Sequence, residues 1–395
     1  MNVLGITEQG RQPVSLSELP AVQATNLPAL ADQVMAFTQA LSTALMQRPA
    51  CREFDELVAL GFWLRKASLT RFTESLNGTY KPLGLVVHYT PANVDTMFVY
   101  SWVCALLMGN RNIVRLSSQQ SALQQTLLHT LLDVLNAAEF SDIANANQFI
   151  QYDHKSESGD ELSVLADARV LWGGDDSVLR IRELPCKPRC RDISFADRHS
   201  ACVINGEAFS GATTEQQVRL AELIWRDMQP YLQQACSSPR ALVWVGDNRA
   251  KEALLEAIGR CAHSANAPET LRNEQLVFSQ WLVASGEATA YQFNGRVCSI
   301  ELSSGNALVS PAHPGNWILP VHSISSLNDL AALTTPKLQT LSYWGFAKDD
   351  MVKFLAQPSI TGIDRVVPVG EALQFSPDWD GYELLTQLAR KVVVL

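Results

Sequence analysis

From Pro82 onward the chain alternates short β-branched runs with helical patterns, and no other feature constrains its fold as strongly. LGLVVHY, an apolar run bounded by turn formers, precedes Thr90-Pro91-Ala92-Asn93 and the apolar stretch MFVYSWVCALLM. NIVRLSS begins a second strand at Asn112, and QSALQQTLLHTLLDVLNAAE follows with helical periodicity. FIQYD, the helical ELSVLAD, the strand ARVLWGG and the helical DDSVLRIREL continue the order. This repetition predicts a doubly wound sheet with helices on both faces. Ligands of such sheets lie beyond the carboxyl ends of strands, so residues 90–93 and 172–177 become candidate binding positions. The lobe is expected to hold a nucleotide.

The same reading divides the chain. Residues 1–80 form a helical lead-in, in which LPALADQVMAFTQALSTALM and a second amphipathic run, FDELVALGFWLRKASL, carry the helical signal. Residues 81–205 form the nucleotide-binding domain. After SACVIN the pattern restarts near Gly206 with TTEQQVRLAELIWRDMQPYL, the Cys236 segment and the strand ALVWVGD, which predicts a catalytic α/β domain over 206–348. Residues 349–395 are expected to return to the first domain or to a partner subunit. A length of 395 residues favours several lobes over one core.

A net charge of −9 leaves no basic field for a polyphosphate backbone, which argues against nucleic acid as a partner. The most apolar stretch, residues 97–108, falls far below the ~20 residues needed to cross a bilayer and ends at Gly109-Asn110, so it predicts a buried helix and no membrane span. MNVLGITEQGRQP lacks the basic start and apolar run of a secretory signal, giving a cytoplasmic expectation. Eight cysteines without a Cys-x-x-Cys pair are then expected as reduced thiols. Cys186 and Cys190 in CKPRC lie near His199, but a second ligand pair at zinc spacing is missing, so no metal site is expected.

Among residues that can carry chemistry, Cys236 in QQACSSPRALVWVG follows a long helix and precedes an apolar strand, which suits a thiol at a strand-end rim. The alternative is a buried structural cysteine. Asn93 follows a strand, where its amide can act with the nucleophile's backbone N–H to stabilise a tetrahedral oxyanion by roughly 3 kcal/mol; the alternative is helix N-capping. Gly173-Gly174 end a strand and open a helix, which lets backbone approach a phosphate, or they form a simple turn, since the full G-x-G-x-x-G spacing is absent. Asp175 and Asp176 oppose an anion there and equally suit a first helical turn. Arg115 ends a strand where a cation can meet an adenosine ribose or 2′-phosphate, or is a solvated charge. Ser117 and Ser118 beside it are equally open.

Taken together and in order, these segments resemble the aldehyde dehydrogenase superfamily. PANVDTMFVYSWVCALLMGNRNIVRLSS is similar to its oxyanion-asparagine helix and nucleotide-binding strand, and VLWGGDDSVLRIRE to its glycine-turn cofactor helix. DISFADRHSACVI, QQACSSPRALVWV and NWILPVHSISSLNDLAALTTPKLQTLSYWGFAKDD resemble the segments around the general base, the nucleophile and the end of the catalytic lobe. Within the superfamily the tail TGIDRVVPVGEALQFSPDWDGYELLTQLARKVVVL resembles the LuxC-type acyl-CoA reductase family, and the resemblance runs from about Lys81 to the C-terminus. It implies an aldehyde-dehydrogenase-like fold, a Rossmann-type cofactor domain beside an α/β catalytic domain. Residue by residue, it makes Cys236 the acyl-accepting cysteine, Asn93 the oxyanion amide, Arg115 the basic residue near the adenosine ribose, and Gly173, Gly174 and Ser177 the pyrophosphate turn. Thr90, Pro91 and Ser117 complete the expected cofactor-binding set.

Two departures from the superfamily pattern bear on mechanism. Phe195 stands where oxidising members place a general-base Glu, and His313 stands near the Glu that grips the nicotinamide ribose in many members. Without a base to activate water, a thioester on Cys236 is protected from hydrolysis. The implied reaction is reduction of an acyl-CoA or acyl-protein thioester to an aldehyde through acyl-Cys236, with NADPH as cofactor and NADH as the alternative. An acyl-protein synthetase partner and a homo-oligomer are implied by the same resemblance. The competing readings are a hydrolytic NAD(P)-dependent aldehyde dehydrogenase, a non-catalytic scaffold for an acyl-activating enzyme, and a zinc module at Cys186 and Cys190.

Overall fold

The computed structural model describes residues 3–91, 93–118, 121–153, 156–303 and 307–395. It divides into two compact units, residues 1–197 with 375–395 and residues 198–374.

Unit 1 contains β1 (Val3–Thr7), β2 (Gly10–Val14), β3 (Thr79–Pro82), β4 (Leu85–Tyr89), β5 (Arg111–Arg115), β6 (Asn147–Gln151), β7 (Ala168–Trp172) and β8 (Arg191–Phe195). Seven of these form one sheet in the order β2-β1-β6-β5-β4-β7-β8, parallel from β6 to β8. Every residue of β4 and β7 is buried, as expected of parallel strands covered on both faces, which read as continuous apolar runs. The chain lays β5 and β6 on one side of β4 and β7 and β8 on the other. The winding therefore reverses between β4 and β7, the switch point at which sheets of this kind bind ligands beyond the carboxyl ends of strands.

The helix Met97–Leu107 is buried at all 11 positions, the state expected of a helix that is apolar all round. It lies over a chain of polar groups that satisfy one another. His88 bonds Ser101 Oγ at 3.2 Å and Asn112 Oδ1 at 3.1 Å, and Asn112 Nδ2 and Trp102 Nε1 both donate to Asn147 Oδ1. Burial pushes the His88 imidazole down to about 4, so it is neutral at physiological pH.

The start of the chain is not wholly helical. β1 and β2 form a hairpin closed by Gly10 at φ +108°, and β1 extends the sheet antiparallel to β6. Pro13 in β2 is tolerated because β2 is an edge strand. The amphipathic run from Phe54 breaks into two helices, Asp55–Trp63 and Lys66–Thr73.

Unit 2 contains β9 (His199–Asn205), β10 (Pro239–Val245), β11 (Ala288–Asn294), β12 (Val297–Leu302), β13 (Ile318–Ile324), β14 (Leu338–Trp344) and β15 (Arg365–Pro368). Their order is β11-β12-β13-β10-β9-β14-β15, parallel except for the β11/β12 hairpin. β9 contains the SACVIN segment that the sequence pattern puts at the end of the first domain. It is an inner strand of unit 2, paired with β10 and β14, because its hydrogen-bonding partners all come later in the chain. The helix Thr214–Met228 starts in a capping box of Thr213 and Gln216 and buries Leu220, Ala221, Ile224 and Met228 against this sheet.

Residues 375–395 belong to unit 1. There β16 (Asp378–Trp379) and β17 (Tyr382–Glu383) form a hairpin, and β18 (Ala389–Val392) pairs with β3. Among the described residues no helix is long and apolar enough to cross a membrane, and no group of three or more His, Cys, Asp or Glu could hold a metal ion.

Candidate active site

The carboxyl edge of unit 1's sheet carries the candidate nucleotide-binding residues. Thr90 follows β4, and its N–H and hydroxyl both donate to the Arg115 carbonyl, at 3.3 and 3.0 Å, tying the ends of β4 and β5 together. The Arg115 guanidinium lies 5.3 Å from the Tyr152 ring centroid, and Nη2 reaches the Tyr152 carbonyl at 3.5 Å. It is a held cation, not a freely solvated one. Ser117 and Pro91 are half-buried, while Ser118 and Asn93 are exposed. The following helix begins at Met97 with Thr96 in the N-cap position, so Asn93 lies upstream of the cap and is not the capping residue.

The turn after β7 separates two glycines with different reasons for being there. Gly174 is the N-cap of the helix Asp175–Arg182, with φ −66° and ψ 160°, a conformation any residue adopts. A Cβ there would meet nothing within 4 Å. Neither strain nor packing calls for glycine at this position. What the missing side chain leaves is open space before the first N–H groups of the helix, a cradle that fits a phosphate group of a dinucleotide. At Gly173 a Cβ would lie 3.3 Å from the Ser177 Cβ, and the Gly173 N–H donates to the Phe195 carbonyl at 3.2 Å. Ser177 is exposed, as are Asp175 and Asp176 in the same first turn.

Phe195 ends β8, and its ring stacks on Trp172 at the end of β7, with centroids 3.8 Å apart and planes 10° from parallel. The Tyr382 ring meets its edge at 5.6 Å. Both stacked rings are buried, and Trp172 Nε1 is anchored on Ser101 Oγ at 3.3 Å. The side chain that the sequence resemblance sets at the general-base position is thus an aromatic ring that can accept no proton.

Cys236 lies in unit 2, half-buried, at the amino end of β10. Its loop is closed at the base: Gln233 Nε2 donates to the Pro239 carbonyl at 2.7 Å, and Arg240 Nη2 to the Gln234 carbonyl at 3.1 Å. Ser200 Oγ, on the adjacent β9, donates to the Cys236 carbonyl at 2.7 Å and accepts the Thr340 N–H at 3.2 Å. The approach to this loop is unusual. Tyr231, Leu232 and Gln233 all have positive φ, at 53°, 51° and 65°, and none is the Gly or Asn that usually takes this conformation. Each such residue costs roughly 1–2 kcal/mol, so surrounding contacts must hold the turn.

Burial raises the thiols of several other cysteines. Cys202 is fully buried, and burial pushes its thiol far up. The Cys261 thiol is also raised by desolvation. Cys190 is pushed up to about 11 by burial. His313 is buried and its imidazole is driven down to about 3, chiefly by desolvation. Its ring is spent on backbone: Nδ1 accepts the Gly315 N–H at 3.0 Å, and Nε2 donates to the Ile318 carbonyl at 3.2 Å.

Direct hydrogen bonds thus bring Thr90 to Arg115 and Gly173 to Phe195 on one sheet edge, whereas Asn93 and Cys236 belong to different units. Sequence reasoning held Trp172 only as the start of the 172–177 strand end, without its stacking role, and missed Gln233 and Ser200 as supporting groups. For Trp172 the aromatic at the last position of a strand was a usable signal. For the left-handed turn before Cys236 the sequence offers none.

Comparison with known proteins places these features in context. A family model described as acyl-CoA reductase (LuxC) matches residues 17–391, starting well before Lys81. The long-chain acyl-protein thioester reductase of Aliivibrio fischeri is 22% identical over 304 residues, covering 73% of this chain and 59% of the relative. That of Photorhabdus luminescens is 24% identical over 299 residues, covering 73% and 58%. The chain therefore spans somewhat under two thirds of the length of these relatives. Among solved structures, aldehyde dehydrogenase 21 from Physcomitrella patens superposes with a TM-score of 0.70 at 10% identity, over 100% of this chain and 94% of that one. Lactaldehyde dehydrogenase from Escherichia coli gives 0.66 at 12% identity, over 100% and 95%. The fold is that of the aldehyde dehydrogenases.

Proposed function

We propose, from the premise that this chain belongs to the acyl-CoA reductase (LuxC) family, that it reduces an acyl thioester to an aldehyde through a thioester on Cys236. The observation that carries this reading is the Phe195–Trp172 stack. An aromatic ring at the base position leaves an acyl-enzyme without its usual route to free acid, so the acyl group awaits reduction or another thiol.

In this reading the Cys236 thiolate attacks the donor carbonyl, the carbon–sulfur bond to the donor breaks, and the donor sulfur leaves as a thiolate that takes a proton from solvent. The Asn93 amide and the Cys236 backbone N–H hold the oxyanion. Thr90, Pro91, Arg115, Ser117, Gly173, Gly174 and Ser177 hold a nicotinamide dinucleotide, with the open cradle at Gly174 taking a phosphate and Arg115 favouring NADPH over NADH. When bound in its reduced form, that group supplies the two-electron reduction that turns the Cys236 thioester into aldehyde and thiol. The donor is an acyl-CoA or, as the relatives are named, an acyl-protein thioester. A synthetase that loads the acyl group, assembly into a homo-oligomer and a cytoplasmic location belong to the same reading. So does the assignment of cofactor binding to residues 81–197 and of catalysis to unit 2, with β9 moved from the first domain to the second.

Intact-protein mass spectrometry after incubation with a panel of acyl-CoAs tests it. Wild type is expected to gain one acyl group and to discharge it as aldehyde when NADPH is added, and Cys236→Ala to gain none. Discharge as free acid without NADPH would support the hydrolytic alternative instead.

A further inference from the structure

The left-handed turn at residues 231–233 is held from outside, by a second left-handed segment. Gly315, Asn316 and Trp317 have φ of 78°, 57° and 54°. The Asn316 N–H donates to the Leu232 carbonyl at 2.7 Å, in the middle of the strained turn. Contact at Gly315 is closer still: a Cβ there would lie 2.7 Å from the same carbonyl oxygen and 3.0 Å from the Gln234 side chain. Only glycine fits, for space and for its φ.

This second segment is itself fixed on three sides. His313 straddles it, accepting the Gly315 N–H and donating to the Ile318 carbonyl. Gln275 Nε2, on the helix Leu271–Ala284, donates to the Asn316 carbonyl at 2.8 Å. Trp317 Nε1 donates to the Gln229 carbonyl at 3.2 Å, one residue before Pro230, and the Trp317 ring packs edge-on to Trp225 at 4.9 Å. Six left-handed residues in two facing segments, tied by backbone contact and anchored to two helices, are far more order than an ordinary surface loop needs. The turn they fix ends three residues before Cys236.

We propose that residues 313–317 are the positioning element for the Cys236 thiol, with His313 holding the segment and the Gly315-Asn316 backbone fixing the turn that presents the cysteine. His313 is then a positioning residue and not a ligand of any ribose. The inference rests on the reading of Cys236 as the acyl-accepting thiol. A misplacement of about 1 Å in a reacting group costs up to about 100-fold in rate, and that is the scale on which the clamp acts.

Two probes separate this inference from the reading beneath it. Alkylation of Cys236 by iodoacetamide reports presentation of the thiol without acyl chemistry, and single-turnover acylation by dodecanoyl-CoA reports the reaction. Gly315→Ala and His313→Ala are expected to slow both at Cys236 by about 10- to 100-fold, with the final extent of labelling and the half-saturating dodecanoyl-CoA concentration unchanged. Asn316→Gly keeps the backbone N–H and the positive φ and is expected to stay within about threefold of wild type. His313→Gln, which retains a donor and an acceptor, is expected to fall between. A merely structural role would lower the labelled fraction and leave the rate constant alone, and that result overturns the inference, as do unchanged rates in both alanine variants. If alkylation slows but wild type never acylates at Cys236, the clamp stands and the acyl-transfer reading falls.

Discussion

The two units carry similar sheets and use opposite edges of them. Unit 1 presents its candidate residues at the carboxyl edge, where the winding reverses between β4 and β7, the switch point beyond which sheets of this kind bind ligands. Unit 2 carries Cys236 at the amino end of β10, and among the described residues several side chains beyond its other strand ends bond backbone or each other. Asn205 Nδ2 donates to the Gly345 carbonyl, Lys251 binds Glu301 and Ser323, and Asp227 accepts the Gly370 and Ala372 N–H groups after β15. At a carboxyl edge helix N-termini and open turns supply binding groups at little cost. Cys236, at the amino edge, is approached instead by a left-handed turn with its own supports.

The stack at the rim of unit 1 is the firmest feature on that side. Phe195→Ala is expected to lower the unfolding free energy by about 3–5 kcal/mol, because it empties a buried ring site against Trp172. Urea denaturation followed by tryptophan fluorescence checks this. A loss below 1 kcal/mol would mean that the rim is not a packed wall. Asn93→Ala, at the exposed start of the same edge, is expected to leave stability unchanged and slow acylation by about 100-fold, as loss of one oxyanion donor does. Stopped-flow release of the donor thiol measures it, and an unchanged rate would restrict the oxyanion donors to backbone N–H groups.

The contrast between edges also explains which parts were legible in the sequence. LGLVVHY, NIVRLSS and ARVLWGG announce buried parallel strands because both faces must be apolar, and the turns after them fall where the topology puts binding sites. The hairpin at residues 3–14 was hidden because β2, an exposed edge strand of sequence GRQPV, needs no apolar face. β9 was assigned to the wrong lobe because SACVIN reads as a strand but does not say which neighbours it pairs with. Cys236 itself was visible through its small-residue turn and its match to a family segment. Its support was not: Tyr-Leu-Gln carries no left-handed signal, and the Gly315-Asn316 pair that fixes it lies about eighty residues away in sequence, joined only by tertiary contact.

Asp227 tests the bonded strand ends of unit 2. Burial raises its carboxyl from 3.8 to about 7, against the two N–H groups that favour the charged form. A carboxyl with a folded value above its unfolded one binds its proton more tightly in the folded state. The stabilisation is therefore full below about pH 4 and is lost as pH rises toward 7. Asp227→Asn is expected to flatten the unfolding free energy between pH 5 and 7.5 by about 2 kcal/mol. If the slope survives, another group carries the titration in that range.

The smallest expected effect is at Arg115, and it bears on what the carboxyl edge of unit 1 recognises. The guanidinium is held over the Tyr152 ring by a contact that needs no ligand, so its removal should cost little in folding. In the proposed reading the same guanidinium meets a 2′-phosphate. Arg115→Ala is expected to lower kcat/KM for NADPH by about tenfold, the worth of one charge-assisted hydrogen bond, while leaving kcat/KM for NADH within about twofold. Equal losses with both cofactors would assign Arg115 to the ribose or to the edge itself. A preference for NADPH measured in that variant would then be assigned to another group on that rim, and Ser117, half-buried two residues further on, is the first to substitute.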